Sequence, residues 1–436
     1  MIEVLKTSYG GHQMENQLIV GVAIFCITYL LIVSEKVNRT SIAIFGAVMM
    51  LVLNVEIQEV AFEHIDFNTI FLLVGMMIIV TIMKRTGIFE YMAIKIAKIA
   101  KGDPWKIVFL FSILTGVSSA LLDNVTTILL VVPVTIVIAE TLHLNPIPFL
   151  IPEVLIANIG GTATLIGDPP NIMIGSATGL GFLDFFVNLA PVVVVIVIVS
   201  MFILKKIYKQ KLVCEEKYKD EILSMNEHLA IKNKPLLVKS LIVLSITILG
   251  FLLHQSLGYE SATVALFGAA TLLLFSKIDP EEILHEVEWP TIFFFAALFI
   301  LVGALEEVGV IEFLAEKMLS LTNGNEMATV LIVLWVSAIA SSFLDNIPFV
   351  ATMIPLITNM GEISGMNVTP LWWALALGAC LGGNGTMVGA SANVIVGGML
   401  EKHGYKLSFV DFMKVGFPIM IVSVSISTVY MMVVYL

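Results

Sequence analysis

Apolar residues fall in long blocks separated by short polar stretches. The blocks cover 18–33, 41–53, 67–83, 105–122, 125–139, 147–166, 172–180, 186–204, 237–253, 260–275, 289–305, 328–344, 347–360, 371–388, 392–400 and 415–436. A helix that spans a bilayer needs about 20 apolar residues. Several blocks are shorter and come in pairs. The pairs 105–122/125–139 and 328–344/347–360 turn at Asp123-Asn124 and Asp345-Asn346. They predict re-entrant hairpins, whose turning backbone must be covered by protein or by a wet cavity. The pairs 147–166/172–180 and 371–388/392–400 part at Gly-rich stretches. Each predicts one helix broken in the middle.

The pattern repeats. Asp345 lies 222 residues after Asp123, and the same shift carries Gly87 to Gly309, Pro133 to Pro355, Gly160-Gly161 to Gly382-Gly383, Thr164 to Thr386, Gly167 to Gly389, Asn171 to Asn393 and Gly175 to Gly397. Chance resemblance between apolar segments does not hold one offset through polar and Gly positions. Each half therefore holds five crossings, one of them a broken helix, plus a hairpin. An odd number of crossings inverts the second copy, as in many secondary transporters. The expected fold is all-α and polytopic. Its parts are an N-terminal segment (1–17), a first repeat (18–204), a linker (205–236) and an inverted second repeat (237–436).

Composition agrees with a membrane solvent. The 436 residues are 58% hydrophobic and only 13% charged, against roughly 25% charged in soluble domains. A net charge of -11 without a basic stripe argues against nucleic acid. The residues before the first block lack the basic start and cleavage site of a signal peptide, so that block is expected to be retained. Cys26, Cys214 and Cys380 are scattered and the seven His form no close pair, so no transition-metal site is expected.

Basic residues fix an expected orientation. If the first block runs from outside to inside, 21 of the 23 Lys and Arg fall inside, and only Lys6 and Lys317 fall outside. Both termini are then outside and the linker is cytoplasmic. The first hairpin opens inward and the second outward. The mixed Lys/Glu linker reads as solvated. Lys95, Lys98 and Lys101 at helical spacing predict an interfacial helix on the inner leaflet.

Polar groups inside apolar blocks are the candidate chemistry, because an ionisable group at membrane depth is costly. Asp123 and Asp345 are expected to bind a coupling Na⁺ or exchange a proton. Capping the returning helix is the plainer role for either. Gly160, Gly161, Thr162, Thr164, Asp168, Gly382 and Gly383 lie in the breaks, where unwound carbonyls and side-chain oxygens suit a cation. The half-helices expected after Asn171 and Asn393 would offer positive dipole ends to an anion. Asn124, Thr126, Asn346, Asn171, Asn384, Thr386 and Asn393 are the candidate substrate contacts. The halves differ: Asp168 corresponds to Ala390, Thr126 to Pro348 and Asn158 to Cys380. The first half-site is richer in cation ligands, which makes Asp123 the leading coupling residue.

The run from Ser118 through Leu-Asp-Asn-Val-Thr-Thr at 122–127, with Glu153 and Gly-Asp-Pro-Pro-Asn at 167–171, resembles the ion transporter superfamily. The resemblance is to its branch of arsenite permeases, NhaD-type sodium/proton antiporters and the melanosomal P protein, with a citrate transporter-like domain. Ser341 to Pro348 and Gly378 to Thr386 are especially similar to the P-protein subgroup. The resemblance implies an inverted-repeat fold, an elevator movement and a homodimer. Related dianion/sodium symporters carry Ser-Asn-Thr at the hairpin tips, where Asp-Asn stands here. An ionised Asp repels a dicarboxylate unless Na⁺ or H⁺ compensates, whereas arsenite, largely a neutral hydroxide, escapes that objection.

The expected function is secondary transport of a small anion or arsenite-like oxyacid, coupled to H⁺ or Na⁺, in a bacterial or archaeal plasma membrane. No catalytic residue and no organic cofactor are expected. Sodium/proton antiport is the alternative within the class, and an anion channel-like conductance is the alternative outside it. An intramembrane aspartyl protease is disfavoured because Leu165-Ile166-Gly167-Asp168 lacks the first Gly of Gly-x-Gly-Asp.

Overall fold

In the computed structural model, residues 11–34 and 36–435 are described. Most of the N-terminal segment expected at 1–17, Lys6 included, lies outside them. The described chain is all-helical. Ten of its helices are long and apolar enough to cross a membrane.

The two halves match element by element. Gly87 and Gly309 both take left-handed backbone and open the helices Ile88–Ile99 and Val310–Thr322. Asp103 and Asn325 both cap the first arm of a hairpin. The arms are Pro104–Leu122 with Asn124–Thr141, and Glu326–Phe343 with Asn346–Ser364. They are not short. An arm of 19 residues is about 28 Å long, close to the roughly 30 Å of a bilayer core.

The repeats interlock. Phe67–Lys84 packs on Ser261–Ser276 of the other half, and Trp289–Glu307 packs on Arg39–Val52. These helices form a scaffold. The hairpins and broken helices form a second body. Each hairpin's first arm packs on the leading half-helix of its own repeat, and its return arm packs on the trailing half-helix of the other repeat. The broken helices sit at the centre: every residue from Phe149 to Gly175, and from Pro370 to Thr386, is buried. A helix apolar on all sides belongs in such a position.

Close approach depends on two equivalent glycines. A Cβ on Gly160 would lie 2.2 Å from the Gly116 carbonyl oxygen, and one on Gly382 would lie 2.6 Å from that of Ala338. Both obstacles are backbone, so relief requires the helices to part. Gly160→Ala is expected to destabilise by about 1–3 kcal/mol through overpacking. Gly398→Ala, with nothing within 4 Å of its Cβ, is expected to be nearly neutral. Thermal unfolding of the two variants in detergent checks the contrast.

Contacts between distant segments show which helix ends share a face. Arg85 pairs with Glu282 and Glu286, Lys98 with Glu227, and the Tyr405 hydroxyl lies 3.5 Å from Glu140. These segments were all placed on the lysine-rich face. On the opposite face Gln255 bonds Asp184 and the Gly179 carbonyl, and the Asn68 side chain accepts from the Ala262 amide.

The linker departs from expectation. It is docked rather than simply solvated. Helix Glu216–Ser224 buries Ile222, the Lys232 amide bonds the Thr86 carbonyl, and Tyr218 stacks on His143 at 4.1 Å. The Lys98 of the expected interfacial helix bonds Glu227 and the Met225 carbonyl, so that lysine is committed to the linker.

Candidate functional site

The helix breaks form first. The leading half-helices Ile147–Gly161 and Thr369–Gly382 end in unwound segments, and the trailing ones, Pro169–Thr178 and Ser391–Lys402, resume beyond them. Pro169 and Pro170 are residues that would stop a helix in its interior. They start one instead, since the first turn has no use for their missing N–H groups. Asn171 and Asn393 therefore lie inside the first turn, not ahead of it.

There the two amides mend the breaks. The Asn171 side chain donates to the Thr162 and Thr164 carbonyls at 3.1 and 2.8 Å. Asn393 donates to those of Gly383 and Thr386 at 2.8 and 3.0 Å. Four unwound carbonyls, two in each break and expected to be free for a cation, therefore already accept from protein amides. Several hydroxyls are also committed. Thr162 Oγ1 donates to the Asn158 carbonyl, Thr164 Oγ1 to that of Ala120, and Thr386 Oγ1 to that of Ser342. Gly160 and Gly382 serve close packing, as above.

A buried amide hub joins the halves. Asn158 accepts from the Asn124 side chain at 3.2 Å and donates to Asn384 Oδ1 and Asn393 Oδ1, each at 2.9 Å. Asn384 also donates to the Leu155 carbonyl. The pseudo-equivalent of the Asn158–Asn393 bond is the Cys380 thiol on Asn171 Oδ1, at 3.6 Å. Three candidate residues from the two repeats, Asn124, Asn384 and Asn393, thus meet at Asn158, which the sequence had shown only as a difference between halves.

The three aspartates have different surroundings. Asp123 is a cap: Oδ1 accepts from the Thr126 amide at 2.7 Å and Oδ2 from its hydroxyl at 2.6 Å. It makes the first turn alone, with φ 109°, a conformation that costs a non-Gly residue on the order of 1–3 kcal/mol. The second tip spends two residues, Leu344 and Asp345, in ordinary extended backbone. Asp345 carries a counter-ion: Arg39 of the scaffold binds its Oδ2, and Ser391 Oγ donates to the same oxygen at 2.8 Å. Asp168 is fully buried and its Oδ1 accepts from Asn346 of the second tip at 3.2 Å. Its Oδ2 accepts from no protein N–H or O–H, and the Cys380 thiol lies beside the carboxyl.

Further unpartnered buried oxygens belong to Asn124, Thr127 and Ser119. These three lie at the first tip and the end of its leading arm; the second hairpin has one such oxygen, Ser337 Oγ, further down its first arm. The equivalent of Ser119, Ser341, is satisfied by the Ala379 carbonyl. The first half-site was expected to be richer in cation ligands, and its open oxygens belong to Asp168, Asn124, Thr127 and Ser119. Arg39, Ser119 and Asn158 had no place among the expected site residues. Arg39 had registered only as one charge in the inside–outside asymmetry.

The sequence profile of the citrate transporter family matches residues 29–378. The chain belongs to this family. It is 41% identical over 426 residues to a 46 kDa membrane protein of Mycobacterium leprae, covering 96% of this chain and 99% of that one. An uncharacterized transporter of Mycobacterium tuberculosis is 43% identical over 420 residues, covering 95% and 97%. The mouse P protein is 36% identical over 522 residues, covering 99% of this chain and 62% of that protein. In fold, the chain is similar to the YdaH transporter of Alcanivorax borkumensis, with a TM-score of 0.58 at 11% identity over 96% of this chain and 98% of the other. The family is one of membrane transporters, not enzymes, and the P-protein-like motifs at both hairpin tips agree with these matches.

Proposed function

We propose that this member of the family is a secondary active transporter that moves a small anion or an arsenite-like oxyacid with H⁺ or Na⁺. One observation carries the coupling: Asp168, buried between the tips, has no cationic partner among the described residues and an Oδ2 that no protein N–H or O–H reaches, with the Cys380 thiol as its further polar neighbour. A buried carboxylate without a counter-charge needs a proton or a cation. Asn124, Ser119 and Thr127 supply further open oxygens in the same half-site. Asp123 serves the cation through its place at the tip, while Asn346 links Asp168 to the second hairpin.

An elevator-type alternating access fits the division into scaffold and body. Polar bridges between them include Arg39–Asp345 and the Ser176 hydroxyl on Asp66, at 2.9 Å. A homodimer is the assembly the family resemblance implies. Sodium/proton antiport is the competing reading, favoured by a further buried carboxylate at the first tip, Asp123. Proteoliposomes with imposed H⁺ or Na⁺ gradients, tested with arsenite, dicarboxylates, chloride and Na⁺, separate the two. Gradient-driven accumulation of an anion or oxyacid supports the proposal. Cation exchange with no other cargo supports antiport, and steady flux without coupling favours a conductance.

The lysine-rich face is assigned to the cytoplasm of a bacterial or archaeal plasma membrane. Single cysteines placed in 205–236 are expected to label only after the membrane is permeabilised, and ones beside Gly258 to label in intact cells. The reverse pattern would invert the orientation.

A further inference from the structure

The second hairpin tip holds a carboxylate in what is otherwise an anion site. Arg39 Nη1 binds Asp345 Oδ2 and donates to Ser391 Oγ at 2.9 Å. Among the described residues it is the one cation bonded to a hairpin tip, and its equivalent in the second repeat is the uncharged Ser261. The guanidinium lies over the Phe294 ring, 5.1 Å from its centroid. A cavity of about 300 Å³ opens beside it, lined by Tyr29, Asn38, Arg39, Asp345, Pro348 and Val388. Arg39 is 34% exposed and Asp345 only 8%. The guanidinium is therefore reachable from the cavity while the carboxylate it holds is covered. Glu288 is a second acid near enough to interact with Arg39.

We infer that Arg39 is the specificity-determining residue for an anionic cargo, a small carboxylate or inorganic oxyanion, and that Asp345 is a tethered stand-in which the cargo displaces. The inference rests on the anion-transport reading above. A guanidinium fork matches a carboxylate or oxyanion from either source. With the cargo bound, Asp345 keeps its cap on the Ile347 amide through Oδ1 and gives up its contacts to Arg39 and Ser391. Arg39 belongs to the scaffold and Asp345 to the body. Displacement therefore also frees one bridge between them.

Tethering predicts opposite signs for the two halves of one ion pair. Removing the stand-in should strengthen cargo binding, and removing the receptor should abolish it. A merely structural pair would make both changes act alike. The full chain in lipid nanodiscs is heated with acetate, inorganic phosphate or citrate, against chloride, which offers the guanidinium no oxygen pair, at equal ionic strength. Asp345→Asn is expected to respond to at least one anion at about tenfold lower concentration than wild type. Arg39→Gln is expected to lose the response. Arg39→Lys, which keeps the charge without the fork, is expected to show a weakened one and serves if Arg39→Gln does not fold. Asp345→Asn without an anion response, or both variants shifting in the same direction, would overturn the inference. Wild-type flux separately tests the reading beneath it: pure cation exchange would remove that reading whatever the nanodiscs show.

Discussion

Asp168→Asn is expected to abolish gradient-driven accumulation while leaving exchange of cargo at equilibrium. Asn has nearly the shape of Asp, and its carbonyl oxygen can still accept the Asn346 amide. What disappears is the charge at a fully buried position whose Oδ2 accepts from no protein N–H or O–H. Without it the cation has lost its ionised ligand, and internal cargo should fall to the equilibrium ratio. Asp123→Asn is expected to do less. Both Asp123 oxygens serve Thr126 as a helix cap, and Asn caps about as well as Asp. Uptake and counterflow in the same proteoliposomes, with thermal stability as the folding control, separate lost coupling from lost protein. Asp168→Asn vesicles that still accumulate cargo with unchanged H⁺ and Na⁺ dependence would remove Asp168 from the coupling site.

Asn158→Leu should give the largest loss of stability. Leu fits the volume but strands three buried groups at once: the Asn124 amide, Asn384 Oδ1 and Asn393 Oδ1. Each unsatisfied buried polar group costs about 1–3 kcal/mol. Repacking in a membrane protein recovers part of this, so a net loss of roughly 3 kcal/mol is expected. Asn158→Cys copies the residue at the equivalent position 380, where a thiol already bonds an amide, and is expected to lose less. Thermal melts of both variants in detergent decide it; an Asn158→Leu protein as stable as wild type would show that the hub does not hold the halves together.

The fold was legible because membrane architecture writes itself in long-range regularities. The constant offset from Gly87 to Gly397 located both hairpins and both broken helices. Local hydrogen bonding was not legible in the same way. Nothing in the spacing showed that Asn171 and Asn393 turn back onto their own breaks, because that depends on the trailing half-helices starting at Pro169 and Ser391. The sequence made Asp123 the leading coupling residue because its half-site, Asp168 included, is richer in cation ligands than that of Asp345. The order proposed here is the other way round and rests on partners: Thr126 occupies Asp123, Arg39 occupies Asp345, and Asp168, which has no acidic equivalent, keeps an open oxygen. Arg39 lies 306 residues from Asp345 in the chain, and charge counting alone assigned it to orientation. The docking of the linker was likewise hidden, since its polar composition describes solubility and not the contacts of Ile222 or Glu227.

The reversal potential of cargo flux tests the coupling claim most directly. Vesicles carrying a fixed cargo gradient are titrated with opposing H⁺ or Na⁺ gradients until net flux stops, for wild type and for Asp168→Asn. A buried carboxylate that carries the coupling ion predicts that wild-type flux stops at a point set by the opposing cation gradient, whereas flux through the variant stops only when the cargo's own gradient is gone. The same reversal potential in both proteins would contradict it.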